Sequence, residues 1–254
     1  DLKKIEATDA EGMEDLLLWM HKYYSSPFFG AGPMEDMMDS NRYAMYVSGG
    51  SMGLGDRDYY LLNDKENTRI RNAYKKLIVD QMMNAGYKKK DATRIMNNVL
   101  KIETAIADSA LTREESRNIP AMYNPRTLDQ LKADYPHVNW DRFFVETMDI
   151  ETPQQFILTE PKGMKQADNL MASLSDREKK DYYLWKYVAQ AAPYLSDKFT
   201  DTLFEFAKVK SGVQQQRPRW KRALGVPDSY MGEAIGRLYV EKHFPESSKQ
   251  KMLD

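Results

Sequence analysis

The sequence predicts a predominantly α-helical protein, an irregular multi-helix assembly with one or two short strands, and three observations carry that reading. Apolar residues recur at helical spacing in two long stretches, Ile70, Ala73, Tyr74, Leu77, Ile78 and Met82, then Ala92, Ile95, Met96, Val99, Ile102, Ile106 and Ala110. Ser or Thr stands three places before Glu or Gln at Thr112/Glu115, Thr127/Gln130 and Ser175/Glu178, the spacing of reciprocal caps at helix starts. Segments dense in Gly and Pro separate the periodic runs.

The first helix is expected over residues 10–24, with Met13, Leu16, Leu17 and Met20 on one face and Trp19 on its flank; Ser25-Ser26-Pro27 and Gly30-Ala31-Gly32-Pro33 interrupt it. Residues 41–47 alternate imperfectly and read as a short strand before Ser48-Gly49-Gly50. The stretch 52–86 is the organising segment of the chain, a loop clamped onto a long helix. Gly53 and Gly55 permit tight or left-handed backbone, Asp56 can accept local backbone hydrogen bonds, and Asn63 or Asp64 can cap the helix that carries the first apolar stripe. Arg69, Lys75, Lys76 and Asp80 fall where they can face water. A short turn over 84–90, with Asp91 as N-cap, would make the second striped helix an antiparallel neighbour of the first.

Residues 117–126 read as a loop or packed irregular segment, and Asn139 caps a helix holding Trp140, Phe143, Phe144 and Met148. At Thr152-Pro153 a helix start competes with a short strand at Phe156-Ile157-Leu158-Thr159, and the strand is preferred. Helices come next over 166–174 and 176–192, then from Ser196 with Phe199, Leu203, Phe206 and Ala207 on one face and Lys210 able to snorkel past it. Gly225-Val226-Pro227 is expected to end a run containing Trp220, Ala223 and Leu224. A last helix over 229–244 carries Met231, Ala234, Ile235, Leu238, Tyr239 and Phe244.

Composition narrows the function classes. The 254 residues hold 37 Lys plus Arg against 38 Asp plus Glu, so no global charge favours nucleic acid or an anionic membrane. Cysteine is absent, which removes disulfides and thiol catalysis. No apolar run approaches the roughly 20 residues that span a bilayer. His21, His137 and His243 are widely separated and lack HExxH spacing, no GxSxG occurs, and Gly53-Leu54-Gly55 is neither a GxGxxG fingerprint nor a P-loop. Arg217, Arg219, Lys221 and Arg222 surround Trp220; the near-neutral chain favours a packed Trp with solvated charges over nucleic-acid binding. The residues singled out are therefore structural. Gly53 and Gly55 make the turn, Arg57 and Asp58 that follow it form a clamp before the paired tyrosines, Trp220 packs amid the basic cluster, and Arg237 and Glu241, at i,i+4, either pair on the helix surface, worth about 0.2–0.5 kcal/mol, or anchor neighbouring loops. No catalytic, cofactor-binding or metal-binding residue is assigned.

Several linear signatures add to this. The stretch MGLGDRDYYLLNDKENTRIRNAYKKLI, Tyr123-Asn124-Pro125 before a helix and then Trp140, and Trp220-Lys221-Arg222 followed by Met231-Gly232-Glu233-Ala234-Ile235-Gly236-Arg237-Leu238-Tyr239-Val240-Glu241 together resemble the neprilysin/PepO-like M13 metallopeptidases over roughly residues 40–245. That resemblance implies a mostly helical non-catalytic lobe, here residues 1–254, facing a zinc-bearing catalytic lobe across an internal chamber. The family's HExxH helix, downstream glutamate ligand, second-shell aspartate and Asn-Ala-x-Tyr substrate motif have no match here. Asn72-Ala73-Tyr74 on the striped helix inherits no such role. Arginines that bind a substrate carboxylate in some members lie upstream of the matching region, so none is carried over.

The implied parent is an extracytoplasmic zinc metalloendopeptidase, periplasmic or associated with the cell envelope, with zinc in the missing lobe and none in this chain. The implied partners are the catalytic lobe of the same polypeptide and peptide substrates. Asp1 as a first residue also leads us to expect a piece of a longer chain, inactive by itself. An autonomous helical peptide- or protein-binding module is the first alternative, and an enzyme whose three histidines converge with carboxylates is the second.

Overall fold

The computed structural model describes residues 1–253, and the chain divides into two compact units, Asp1–Ser211 and Gly212–Asp254. The first unit opens with α1 (Leu2–Ala7) and α2 (Met13–Tyr23), followed by a hairpin of β1 (Phe29–Asp36) and β2 (Asp39–Gly49). Next come α3 (Asp58–Leu61), α4 (Lys65–Asn84) and α5 (Lys89–Ser109), then β3 (Asn124–Thr127), α6 (Leu128–Asp134), α7 (Trp140–Met148) and β4 (Gln155–Leu158). It closes with α8 (Pro161–Ser173), α9 (Asp176–Ala191) and α10 (Asp197–Ser211). The second unit holds α11 (Arg219–His243) and α12 (Glu246–Leu253). Helix dominates, as the periodicity predicts.

Local chemistry sets many of the boundaries. Asp64 accepts from the N–H groups of Glu66 and Asn67, both at 3.0 Å, and starts α4. Thr127/Gln130 and Ser175/Glu178 close reciprocal capping boxes at α6 and α9, and Asn139 caps α7. Gly86 takes φ +99° after α4, and the Tyr87 N–H returns to the Met82 carbonyl at 3.0 Å, so α5 packs back against α4. Asp91 is not the N-cap of α5. Lys88 holds that place with extended backbone, and Asp91 sits in the first turn, where an acid complements the helix dipole and pairs with Arg94.

The four strands form one sheet in the order β1-β2-β4-β3, antiparallel at both ends and parallel between β2 and β4, where Met45 faces Phe156 and Val47 faces Leu158. The strands expected over 41–47 and at Phe156 are present as β2 and β4. β1 and β3 fall in stretches that read as breakers, Gly30-Ala31-Gly32-Pro33 and Asn124-Pro125. Both are edge strands, the position in a sheet that tolerates proline.

One continuous core joins the two sides of this unit. Ile70, Tyr74, Ile78 and Met82 of α4 and Ile95, Val99, Ile102 and Ile106 of α5 are buried with Tyr182, Leu184 and Trp185 of α9. Phe29, Trp140, Phe143, Phe144 and Phe156 stack as an aromatic cluster between α7 and the sheet. Each such large side chain contributes about 1.5–3 kcal/mol on burial.

In the second unit, Gly225-Val226-Pro227 does not end a helix. α11 runs through it and departs from helical geometry at Met231, φ −133° and ψ 22°. Pro227 sits inside the first of two helical runs, where it removes one N–H, and the two runs meet across the kink at Met231.

Candidate functional site

The glycine-rich loop between β2 and α3 is held from several sides by helices of the first unit. A Cβ on Gly53 would lie 1.9 Å from the Tyr74 hydroxyl, so only glycine fits there, and Gly55 adopts φ +81°. The Gly53 N–H donates to Glu103 Oε1 at 3.1 Å, and the Leu54 N–H donates to the Tyr60 hydroxyl at 3.0 Å. Tyr60 in turn donates to Glu103 Oε2 at 2.6 Å. Lys186 Nζ reaches the Ser51 carbonyl and hydroxyl, each at 3.2 Å, and Lys210 Nζ reaches the Leu54 carbonyl at 2.9 Å. The stem of Lys210 thus snorkels as the sequence allows, and its ammonium ends on the loop.

Glu103 is fully buried and Lys186 nearly so. Burial raises the Glu103 pKa, opposed by the Tyr60 hydrogen bond, the Lys186 charge, the Tyr74 hydroxyl and the Gly53 N–H. Burial lowers the Lys186 pKa against the opposing charge of Glu103. Tyr60 and Tyr74 are both pushed well above the ordinary phenol range, burial first and Glu103 second, so they remain protonated donors. This arrangement ties a loop to α3, α5, α9 and α10. It offers no solvent-facing nucleophile or base.

Arg57 and Asp58 lie where this loop enters α3. Arg57 donates to the Ala110 carbonyl at 2.9 Å, and the Asp58 N–H donates to Asp56 Oδ1 at 2.9 Å, while Asp56 pairs with Arg113. Sequence reasoning missed Glu103 and Lys186. Each stands on the apolar side of a helix, Glu103 beside Ile102 and Ile106, and a charged residue inside an apolar stripe is the signal that finds them. A second buried centre, Asp181, accepts from Arg94 at 3.1 Å, Asn98 at 2.7 Å and Arg177 at 2.9 Å, with Glu6 on Arg177, and so joins α1, α5 and α9.

Over the sheet lies a cleft of about 740 Å³ lined by Arg42, Tyr43, Tyr123, Arg126 and Gln155 among others. Its wall contains buried Asp36, which accepts from Arg42 at 2.8 Å, Tyr123 at 3.1 Å and the Met38 N–H at 2.9 Å. The Met38 N–H is the largest influence holding this carboxyl below its ordinary range.

The histidines have separate surroundings. His21 is half-buried, its ring lies against those of Phe29 and Phe143, its buried Nε2 has no partner, and desolvation lowers its pKa to about 3. His137 Nδ1 lies 3.1 Å from Asp168 Oδ2, and His243 stacks on Tyr239 in α11. Among the described residues no group of three or more His, Asp or Glu is placed to hold a metal ion, so their donor set does not fit a zinc centre. In the second unit, Trp220 is 62% exposed, Lys221 lies over its ring, and Arg237 donates to Glu241 at 2.9 Å on the helix surface.

Comparison with known proteins places this architecture. The guinea-pig (Cavia porcellus) endothelin-converting enzyme 1 is 28% identical over 232 residues, 89% of this chain and 31% of that protein. Neprilysin-1 of Caenorhabditis elegans is 26% identical over 246 residues, 90% of this chain and 32% of that protein. The chain therefore spans about a third of the length of these relatives. Among solved structures, the Mycobacterium tuberculosis zinc metalloprotease Zmp1 in an open state superposes with a TM-score of 0.87 and 26% identity over 99% of this chain and 39% of that one. PepO from Lactobacillus rhamnosis has a TM-score of 0.82 at 16% identity over 99% of this chain and 40% of that one, and so shares the fold. The model of peptidase family M13 matches residues 1–254, extending the sequence resemblance to both ends, and the chain belongs to this family as its N-terminal region.

Proposed function

We propose that residues 1–254 are the non-catalytic, substrate-restricting lobe of a zinc-dependent metalloendopeptidase acting on peptides. The observation that carries this reading is the match to the M13 N-terminal region over the whole chain, together with a span of 39% of the Zmp1 chain. The wall assigned to this lobe needs a fixed shape. The Glu103 and Asp181 networks, which tie helices distant in sequence to one another, supply a physical basis for it.

The zinc belongs, on this reading, to the part of the polypeptide that the relatives have and this chain does not span. There the ion would polarise a peptide carbonyl and activate water. Residues 1–254 would limit which substrates reach it. The same polypeptide's catalytic lobe is the proposed partner, and the proposed location is extracytoplasmic. No helix of the described residues is long and apolar enough to cross a membrane.

The test compares the full-length polypeptide with the 254-residue chain on short peptides and on folded proteins. The full-length protein is expected to cleave the peptides, to stop on chelation, and to spare folded proteins, while the shorter chain cleaves neither. Metal-dependent cleavage by the purified 254-residue chain would overturn the non-catalytic assignment. Equal rates on peptides and folded proteins would overturn the restriction.

A further inference from the structure

We propose that the notch in the sheet between the first half of β2 and the start of β4 binds a separate, extended acidic peptide as an added strand, a role independent of the functional reading above. β2 runs from Asp39 to Gly49 but pairs with β4 only over residues 45–47. The Thr159 N–H donates to the Val47 carbonyl at 3.2 Å, so Val47 turns its peptide edge toward β4. Peptide edges alternate along a strand, and Tyr43, four residues earlier, therefore turns its N–H and C=O the same way, beside a stretch where β4 has not begun. Tyr43 is 73% exposed there. The chain entering β4 does not close the gap, because Pro153 has no N–H and the Gln154 carbonyl accepts from the Leu128 N–H of α6 at 3.0 Å. The cleft of about 740 Å³ surrounds this notch, with Tyr43 and Ala44 on one wall and Gln154 and Gln155 on the other.

An unpaired strand edge is a template for another extended chain, with main-chain hydrogen bonds giving affinity and the flanking side chains giving specificity. Here the flanking charges select acids. The accessible charged groups that line the cleft are the guanidinium groups of Arg42 and Arg126; the lining carboxylate, Asp36, is buried and already engaged by Arg42, Tyr123 and the Met38 N–H. Their acidic neighbours Asp39, 3.9 Å from Arg42, and Asp134, 3.2 Å from Arg126, do not line the cleft. Arg42 Nη1 and Arg126 Nη2 have no hydrogen-bond partner among the described residues, while the Nε atoms are held by Asp36 at 2.8 Å and Asp134 at 3.2 Å. A guanidinium fixed in this way offers its remaining N–H groups to a carboxylate with little further loss of freedom. A second copy would bring a whole sheet to a gap bounded by Pro125 and Pro153, which has room for one strand.

The test titrates the full-length polypeptide, with chelator present so that nothing is cut, into a fluorescein-labelled peptide Ala-Glu-Val-Glu-Val-Ala blocked at its C-terminus, and into the analogue with Lys in place of both Glu. Fluorescence anisotropy should show the glutamate peptide binding at least about tenfold more tightly. Arg126→Gln should weaken it by at least about tenfold, the loss of one charge-assisted contact. Tyr43→Pro removes the N–H that faces the notch and keeps the alternate edges that pair with β1, and should weaken the same peptide by about threefold to tenfold with the melting midpoint unchanged. Should the proline variant fail to fold, Arg126→Gln, at a partly exposed side chain, still decides. Equal affinity for the two peptides overturns the proposal, as does affinity for the glutamate peptide that Arg126→Gln leaves unchanged. Binding to the 254-residue chain but not to the full-length polypeptide also overturns it, and assigns the notch to another segment of the same polypeptide.

Discussion

Glu103 and Glu241 are both helix carboxylates beside a cation, and their surroundings give them opposite weight. Glu103 is desolvated in the first unit, with Gly53, Tyr60 and Lys186 fixed around it. Glu241 faces water in the second unit, four residues from Arg237. A buried charge whose partners are removed stays buried and unpaired; a surface charge merely returns to solvent. The contrast is between a carboxylate built into the interior of the first unit and one that α11 presents to water.

The sharpest way to break this contrast is Glu103→Ala, which leaves the Gly53 N–H and the Tyr60 hydroxyl without their acceptor and removes the negative charge opposite the buried Lys186 ammonium. Loss of one member of a buried pair costs about 3–5 kcal/mol. Urea unfolding followed by tryptophan fluorescence should show a midpoint shift of that size. A change no larger than that of a surface mutation would show that the loop is held by packing alone. Adding Lys186→Met sharpens the result, since removing the second charge should recover part of the loss.

His21 provides a second measure, because its buried Nε2 lacks the partners Glu103 has. Its pKa falls from 6.5 to about 3 on folding, through burial between Phe29 and Phe143. The neutral ring is the folded form, so this stability is whole above the unfolded pKa of 6.5 and is lost as pH falls towards 3. Between pH 7.5 and pH 5 the expected loss is about 2 kcal/mol, from the linkage between proton uptake and unfolding. His21→Leu should flatten that part of the pH profile. An unchanged slope would mean that other groups set the acid limb.

Much of the helical framework was legible because its signals are local. The α4 and α5 stripes, the boxes at Thr127 and Ser175, and the Asn139 cap each depend on residues within a turn or two. β1 and β3 were hidden because Gly32, Pro33 and Pro125 speak against strands, and only a position at the edge of a sheet makes them acceptable. The loop at Gly53 and Gly55 was legible as a turn needing glycine. Its clamp was not, because Glu103 lies 50 residues away and Lys186 a further 83, and no spacing rule spans such distances. The helical run through Pro227 shows the opposite error: helix continues through a strong local breaker and is interrupted only by the kink at Met231.

Arg237→Ala should produce the smallest effect, and the comparison depends on its being small. The Arg237 and Glu241 side chains are largely exposed, the pair has i,i+4 spacing along one helix, and water competes for both groups. A pair of this kind contributes about 0.2–0.5 kcal/mol, and salt screens it further. In the 254-residue chain the melting midpoint should therefore move by no more than about 2 °C, since about 1 kcal/mol corresponds to roughly 2–4 °C for a domain of this size. A shift several times larger would show that Arg237 does more than pair with Glu241 at the surface, and the difference between the two carboxylates would shrink accordingly.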